Sequence, residues 1–136
     1  MQTAHSTPHN ATHSNADPHE IARFAQLANQ WWNPQGALHA LHAINPLRLQ
    51  WIASHTPLAG SQVLDIGCGG GILAESMARR GAHVTGIDMG STPLEVAELH
   101  ALESQVDVTY RQISAEAMAA EAPEQFDVVT CMEMLE

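Results

Sequence analysis

The sequence predicts an α/β fold. It reads as a Rossmann-like, doubly wound parallel sheet with four strands present, preceded by two helices. Two observations carry this. From residue 62 short apolar runs alternate with helical patterns. The first run, Val63-Leu64-Asp65-Ile66, also opens into a glycine-rich turn, Gly67-Cys68-Gly69-Gly70-Gly71, that leads into a helix. Strand and helix alternating at this spacing mean βαβ units, and right-handed crossovers place helices on both faces of the sheet.

Residues 1–16, MQTAHSTPHNATHSNA, hold few large apolar groups. Such a segment cannot bury enough surface to offset its ordering entropy, so a disordered tail is expected there, followed by a domain over 17–136. His5, His9 and His13 recur every fourth residue, a spacing that could hold a metal on a helix face, but Pro8 and the Ser/Thr/Asn content argue against a helix. Asp17-Pro18-His19-Glu20 reads as a helix start, with Asp17 as cap, Pro18 at the first position and Glu20 closing a capping box. Ile21, Phe24, Leu27, Ala28 and Trp31 then share one face, and the helix ends near Asn33-Pro34. Asn45-Pro46 is expected to start the second helix, with Leu47, Trp51 and Ile52 apolar.

The first strand is expected over 62–66 and its helix over 71–80, stopped by Gly81 after Arg79 and Arg80. The second strand, 83–87, ends at Asp88. Thr92-Pro93-Leu94-Glu95 reads as another capping box, opening a helix to about residue 104. A strand over 106–111, a short helix over 114–121 and a strand over 126–131 complete the pattern. Doubly wound sheets commonly have five or more strands. The sequence therefore reads as the N-terminal part of a longer protein, with little or no turnover expected from these residues alone.

Composition narrows the partners. The chain has 136 residues, enough for one domain, and 45% hydrophobic residues, enough for a core. Five Arg, no Lys and 15 Asp+Glu give a formal charge of −10. Nucleic-acid binding needs a basic surface, so a nucleic-acid partner is not expected. Cys68 and Cys131 are too few for a disulfide framework, and a cytoplasmic setting fits them.

The glycine turn calls for a nucleotide. A phosphate-binding P-loop needs Lys-Ser/Thr after its glycines, and here Ile72-Leu73 follows in a chain without lysine. Gly69-Gly70-Gly71-Ile72-Leu73-Ala74 does fit the dinucleotide pattern G-x-G-x-x-A, and Asp88 ends the next strand, where a carboxylate takes ribose hydroxyls. Asp65 argues against a dinucleotide. It stands two residues before Gly67 at the end of the first strand, where it would repel a pyrophosphate and attract an ammonium group. S-adenosylmethionine carries that ammonium and a ribose but no phosphate. Its carboxylate needs a cationic partner, for which Arg48 is a candidate. Plainer roles stay open at this point: Asp65 as a loop cap, Asp88 as a turn residue before Gly90, Arg48 as a solvated helix residue.

The order Asp-Ile-Gly-Cys-Gly-Gly-Gly, followed by Gly-Ile-Asp at the second strand, resembles the class I S-adenosylmethionine-dependent methyltransferases. WWNPQGALHALHAINPLRL, VLDIGCGGGILAESMARRGA, VTGIDMGSTPLEVAELHALES and FDVVTCMEMLE, together spanning about residues 18–136, resemble the ubiquinone-biosynthesis O-methyltransferases more closely. The resemblance implies that Arg48 contacts the cofactor and that the backbone of Gly67 and Gly69 lies against it. It implies that Asp88 takes both ribose hydroxyls, that Met132 lies beside the cofactor, and that Ser114-Ala115-Glu116 borders the adenine. Glu133 and Glu136 would correspond to two acids that bind Mg2+ with a following histidine in related members; an acidic helix start is the plainer reading. The implied reaction is methyl transfer to a ring hydroxyl of a polyprenylated catechol or demethylubiquinol. Such a substrate lives in the bilayer, so peripheral contact with the inner face of the membrane, and with other ubiquinone-biosynthesis proteins, is implied too. Trp31 and Trp32 either take part in that contact or pack inward as a lid over the cofactor. A class I methyltransferase for another small molecule and an NAD-binding oxidoreductase domain remain the alternatives.

Overall fold

The computed structural model describes residues 17–132. The expected tail, with His5, His9 and His13, lies outside the described residues, as do Glu133 and Glu136. Helices α1 (Pro18–Trp32) and α2 (His39–His55) come first. Then follow β1 (Gln62–Ile66), α3 (Ile72–Arg79), β2 (His83–Asp88), α4 (Ser91–Ser104), β3 (Thr109–Gln112), α5 (Ala115–Glu121) and β4 (Val128–Thr130). All strand pairs are parallel, in the order β3-β2-β1-β4.

That order follows from crossover handedness. Two successive crossovers run outward from β1 through β2 to β3, so α3 and α4 share a face with α2. There Ile52, Val63, Leu73, Met77, Val84, Leu94, Ala97 and Tyr110 form the main core. The chain then reverses past β1 to reach β4, which puts α5 on the opposite face, with Met118 against Leu64 and Ile87. The reversal makes the carboxyl ends of β1 and β4 a switch point, the place where open α/β sheets bind ligands.

Four boundary expectations need correction. The second helix does not start at Asn45-Pro46. It starts at His39 and runs through Pro46, at a typical cost of about 3 kcal/mol for an interior proline. Tertiary contacts just before it offset part of that cost: Asn45 Nδ2 donates to Ser76 Oγ at 2.7 Å, and a His42 ring nitrogen lies 2.8 Å from the Trp31 carbonyl. Second, Thr92 caps nothing. The helix begins two residues earlier than that box implies, at Ser91, with Gly90 as N-cap and no side-chain cap bond. Third, β3 begins at Thr109 because Val106 N–H still closes α4 on Ala101 O. Fourth, β4 is only three residues long. Asp127 is spent as a clamp on Gln62, its N–H donating to Gln62 O at 2.7 Å and its Oδ2 accepting from Gln62 N–H at 2.8 Å. At α1, Asp17 caps as expected, accepting from His19 N–H at 2.9 Å. Arg80 and Gly81, the latter at φ +96°, end α3 as expected.

Tyr110 crosses the core from β3 toward the glycine turn. Gly71 has φ +92°, and a methyl group built on it would collide with the Tyr110 hydroxyl, so both conformation and space demand glycine. The hydroxyl itself is buried with no hydrogen-bond partner among the described residues. An unsatisfied buried hydroxyl costs about 1–3 kcal/mol. Tyr110→Phe is therefore expected to raise stability by about 1 kcal/mol in urea titration, and a loss above that size would show the hydroxyl to be paired.

Candidate functional site

The site is assembled where β1, β2 and β4 end. Asp65 is the penultimate residue of β1 and is 3% exposed. It lies in register with Gly86 of β2 and Thr130 of β4. Thr130 Oγ1 lies 2.7 Å from Asp65 Oδ1 and 3.5 Å from Leu64 O. A hydroxyl has one proton, so with Asp65 ionised it donates to the carboxylate. With Asp65 protonated, the acid can donate to Thr130 and free the hydroxyl for Leu64 O. Burial pushes the Asp65 acid up from 3.8 to about 7; the Thr130 bond opposes this and the Asp88 charge adds to it.

The turn after Asp65 is held from β2. Gly67 N–H and Cys68 N–H both donate to Ile87 O, at 2.9 and 3.0 Å. Asp88, at the end of β2, spans two loops: Oδ2 accepts from Gly69 N–H and Oδ1 from Gly90 N–H, each at 2.9 Å. A carboxylate offers about four lone-pair sites, so two remain for a ligand. The Cys68 thiol lies under the turn, and burial raises its pKa, with Asp65 and Asp88 adding to the effect. It is therefore a packed, protonated thiol, and both cysteines are free.

Two cavities share Gly67 in their linings. The smaller, about 140 Å³, is lined by Asp65, Arg48, Gly69 and Met132, with Trp31 and Asn45 among the rest. The larger, about 360 Å³, is lined by Asp88, Met89, Ile113 and the Ser114-Ala115-Glu116 segment. The fold thus brings Arg48, Asp65, Gly67, Gly69 and Met132 to one cavity and Gly67 and Asp88 to its neighbour. The expectation for Glu133 and Glu136 falls outside the described residues, and among the described residues no three His/Cys/Asp/Glu cluster as a metal site.

Sequence reasoning missed the support beneath this site. Glu75, 1% exposed in α3, accepts from His100 Nδ1 at 2.6 Å, with Arg79 at 3.7 Å. His100 stacks on the Trp32 indole at 3.5 Å with the rings within 3° of parallel. Trp32 Nε1–H donates in turn to Gly70 O at 3.0 Å. The chain Glu75–His100–Trp32 so reaches the glycine turn from α4 and ties α1 to it. A buried glutamate in an otherwise ordinary helical run, and a histidine 25 positions on, leave no local signal.

A parallel sheet with this switch point, a glycine turn at the first strand and an acid at the end of the second define a nucleoside-binding α/β domain of Rossmann type. The chain belongs to the methyltransferase domain family, whose model matches residues 63–136. It is 66% identical over 123 residues to the ubiquinone biosynthesis O-methyltransferase of Stutzerimonas stutzeri (strain A1501). It is 65% identical to the Pseudomonas entomophila (strain L48) protein of the same name. Each match covers 90% of this chain and 53% of the relative, so the chain spans about half the length of the curated relatives it matches. Among solved structures, magnesium protoporphyrin IX methyltransferase of Synechocystis PCC 6803 with bound SAM superposes with a TM-score of 0.59 at 21% identity, over 89% of this chain and 52% of that one. The 4+2 cyclase SpnF superposes at 0.55 with 30% identity, over 65% of this chain and 33% of that one. A cyclase on the same frame shows that the fold does not fix the reaction.

Proposed function

We propose that the whole protein is an S-adenosylmethionine-dependent O-methyltransferase of ubiquinone biosynthesis, acting on a ring hydroxyl of a polyprenylated catechol or demethylubiquinol. One observation carries the cofactor assignment. The two cavities that share Gly67 present a cation and an anion, Arg48 and Asp65, on one side and a carboxylate with two spare acceptor sites, Asp88, on the other. A zwitterionic aminoacyl tail joined to a nucleoside has that pattern of charge; a pyrophosphate next to a buried Asp65 does not. The substrate class rests on the 66% identity to a ubiquinone biosynthesis O-methyltransferase.

In this reading Arg48 grips the tail carboxylate and Asp65 the ammonium. Gly67 and Gly69 let the backbone approach, Met132 packs beside the sulfur end, and Asp88 takes the ribose hydroxyls. Bound there, S-adenosylmethionine supplies a methyl group on a sulfonium for in-line transfer. The residues described here bind and orient, which is the larger part of what such a displacement asks of a protein. Glu133 and Glu136 are included as hard oxygen donors for Mg2+. The reading places the protein in the cytoplasm in peripheral contact with the inner face of the membrane and other ubiquinone-biosynthesis proteins. No helix among the described residues is long and apolar enough to cross a membrane.

Calorimetric titration with S-adenosylhomocysteine and with NADH tests the cofactor. Micromolar binding of the homocysteine nucleoside and at least about 100-fold weaker NADH binding is expected, a gap of about 2.7 kcal/mol. Tighter NADH binding overturns the proposal.

A further inference from the structure

Helix α1 has no buried residue, yet its last turn reaches the centre of the site. Trp31 lines the smaller cavity together with Asp65 and Arg48. Its indole also packs against the glycine turn. A methyl group built on Gly70 would come within 2.6 Å of indole Cε2 and closer still to Cδ1 and Nε1. One built on Gly69 would stand 3.1 Å from Cζ2. The next residue, Trp32, fixes this placement through its bond to Gly70 O and its stack on His100. The adjacent indoles thus divide the work: one anchors the helix, the other walls the cavity.

Gly70 differs from its neighbours. It is absent from the glycines with positive φ, so its conformation does not demand glycine. The space above it is filled by protein, by the indole of Trp31. The usual reason for a glycine in such a turn, close approach of a ligand to the backbone, is therefore not what this position serves.

We propose that Trp31 is a specificity-determining positioning residue. It closes the aminoacyl end of the cofactor cavity, and Gly70 is glycine to admit this indole rather than the ligand. The proposal rests on the cofactor reading above and adds to it the residue that distinguishes a ligand with the aminoacyl tail from one without. Trp31 does not line the larger cavity around Asp88, so its wall acts on the tail rather than on the nucleoside. A rigid aromatic wall over a charged pair also excludes water, which strengthens both ion contacts.

The test uses two ligands and two positions. S-adenosylhomocysteine has the tail; 5′-methylthioadenosine has the same nucleoside and sulfur without it. In calorimetric titrations of the 136-residue chain, Trp31→Ala is expected to weaken S-adenosylhomocysteine about tenfold or more and methylthioadenosine less than about twofold, with Trp31→Phe restoring most of the loss. Gly70→Ala is expected to weaken S-adenosylhomocysteine by a similar factor when Trp31 is present. In the Trp31→Ala background it should cost less than about twofold, since the group it displaces is gone. Thermal melts accompany each variant, and because α1 contributes no residue to the buried core the core should remain folded. Equal weakening of both ligands by Trp31→Ala overturns the proposal, as does an undiminished cost of Gly70→Ala in the double variant. Failure of the unsubstituted chain to bind S-adenosylhomocysteine is a different result and overturns the cofactor reading itself.

Discussion

Asp65→Asn should stabilise the protein and impair it at once. The carboxylate is buried, and burial pushes its acid up to about 7, against 3.8 when exposed. Between those values the folded chain keeps a proton that the unfolded chain has lost. Stability therefore falls as pH rises through that window, and the whole cost is present above about 7. Each tenfold change in proton affinity is about 1.4 kcal/mol, so the ionised group costs about 2–4 kcal/mol. Asparagine has the same shape, keeps an oxygen for Thr130 Oγ1 and carries no charge. In thermal melts the variant should exceed the parent by roughly 5–15 °C at about pH 8.5 and match it near pH 4. Binding should move the other way. An ammonium group favours the ionised acid, so the parent's affinity for S-adenosylhomocysteine should rise with pH through about 7. The variant should bind at least about tenfold more weakly at high pH, without that rise. Equal melting temperatures of parent and variant across the range would show that Asp65 is not held out of water at a cost. Stability given up at one buried charge is a common signature of a binding site.

Much of the fold could be read from the sequence because buried parallel strands are apolar runs with abrupt ends. Val63-Leu64 and Val84 to Ile87 announce β1 and β2, and the acids and glycines after them mark where each strand meets the site. Boundaries set by distant contacts could not be read. Pro46 belongs at a helix start by local rules, yet it sits inside α2, where Asn45 and His42 are bound to other elements. Asp127 reads as strand and serves as a clamp on Gln62. The same holds at the site. Asp65, Asp88 and the glycines are contiguous with the strands that deliver them. Trp31 could be read only as one of two alternatives, membrane contact or lid, and Glu75 and His100 depend on how α3 and α4 meet, which no spacing in one stretch encodes. The glycine turn shows the limit most clearly: the positions demanding glycine were visible, but the groups that demand it at Gly70 and Gly71 are Trp31 and Tyr110.

Asp88 carries the second large effect, because one side chain does two jobs. Its oxygens accept from Gly69 N–H and Gly90 N–H, so it fixes the glycine turn and the β2–α4 loop together. Each oxygen keeps one lone-pair site, and two such sites side by side match the adjacent hydroxyls of a ribose. Asp88→Ala removes all four. Hydrogen bonds to a charged group contribute about 1.5–3 kcal/mol each. Losing the two to the ribose should weaken S-adenosylhomocysteine by about 10²–10⁴-fold, and losing the two to the loops should lower stability by about 3–6 kcal/mol. Asp88→Asn separates the jobs. Its single oxygen can serve one loop, while its NH2 group must face the N–H of the other, a donor against a donor, so this variant should also lose stability despite its shape. The ligand supplies the complementary half of the cycle. Removing the ribose 2′-hydroxyl should weaken binding about tenfold in the parent and hardly at all in Asp88→Ala, because the group's partner is already gone. An Asp88→Ala chain that folds and binds S-adenosylhomocysteine as tightly as the parent would leave Asp88 a loop clamp and nothing more.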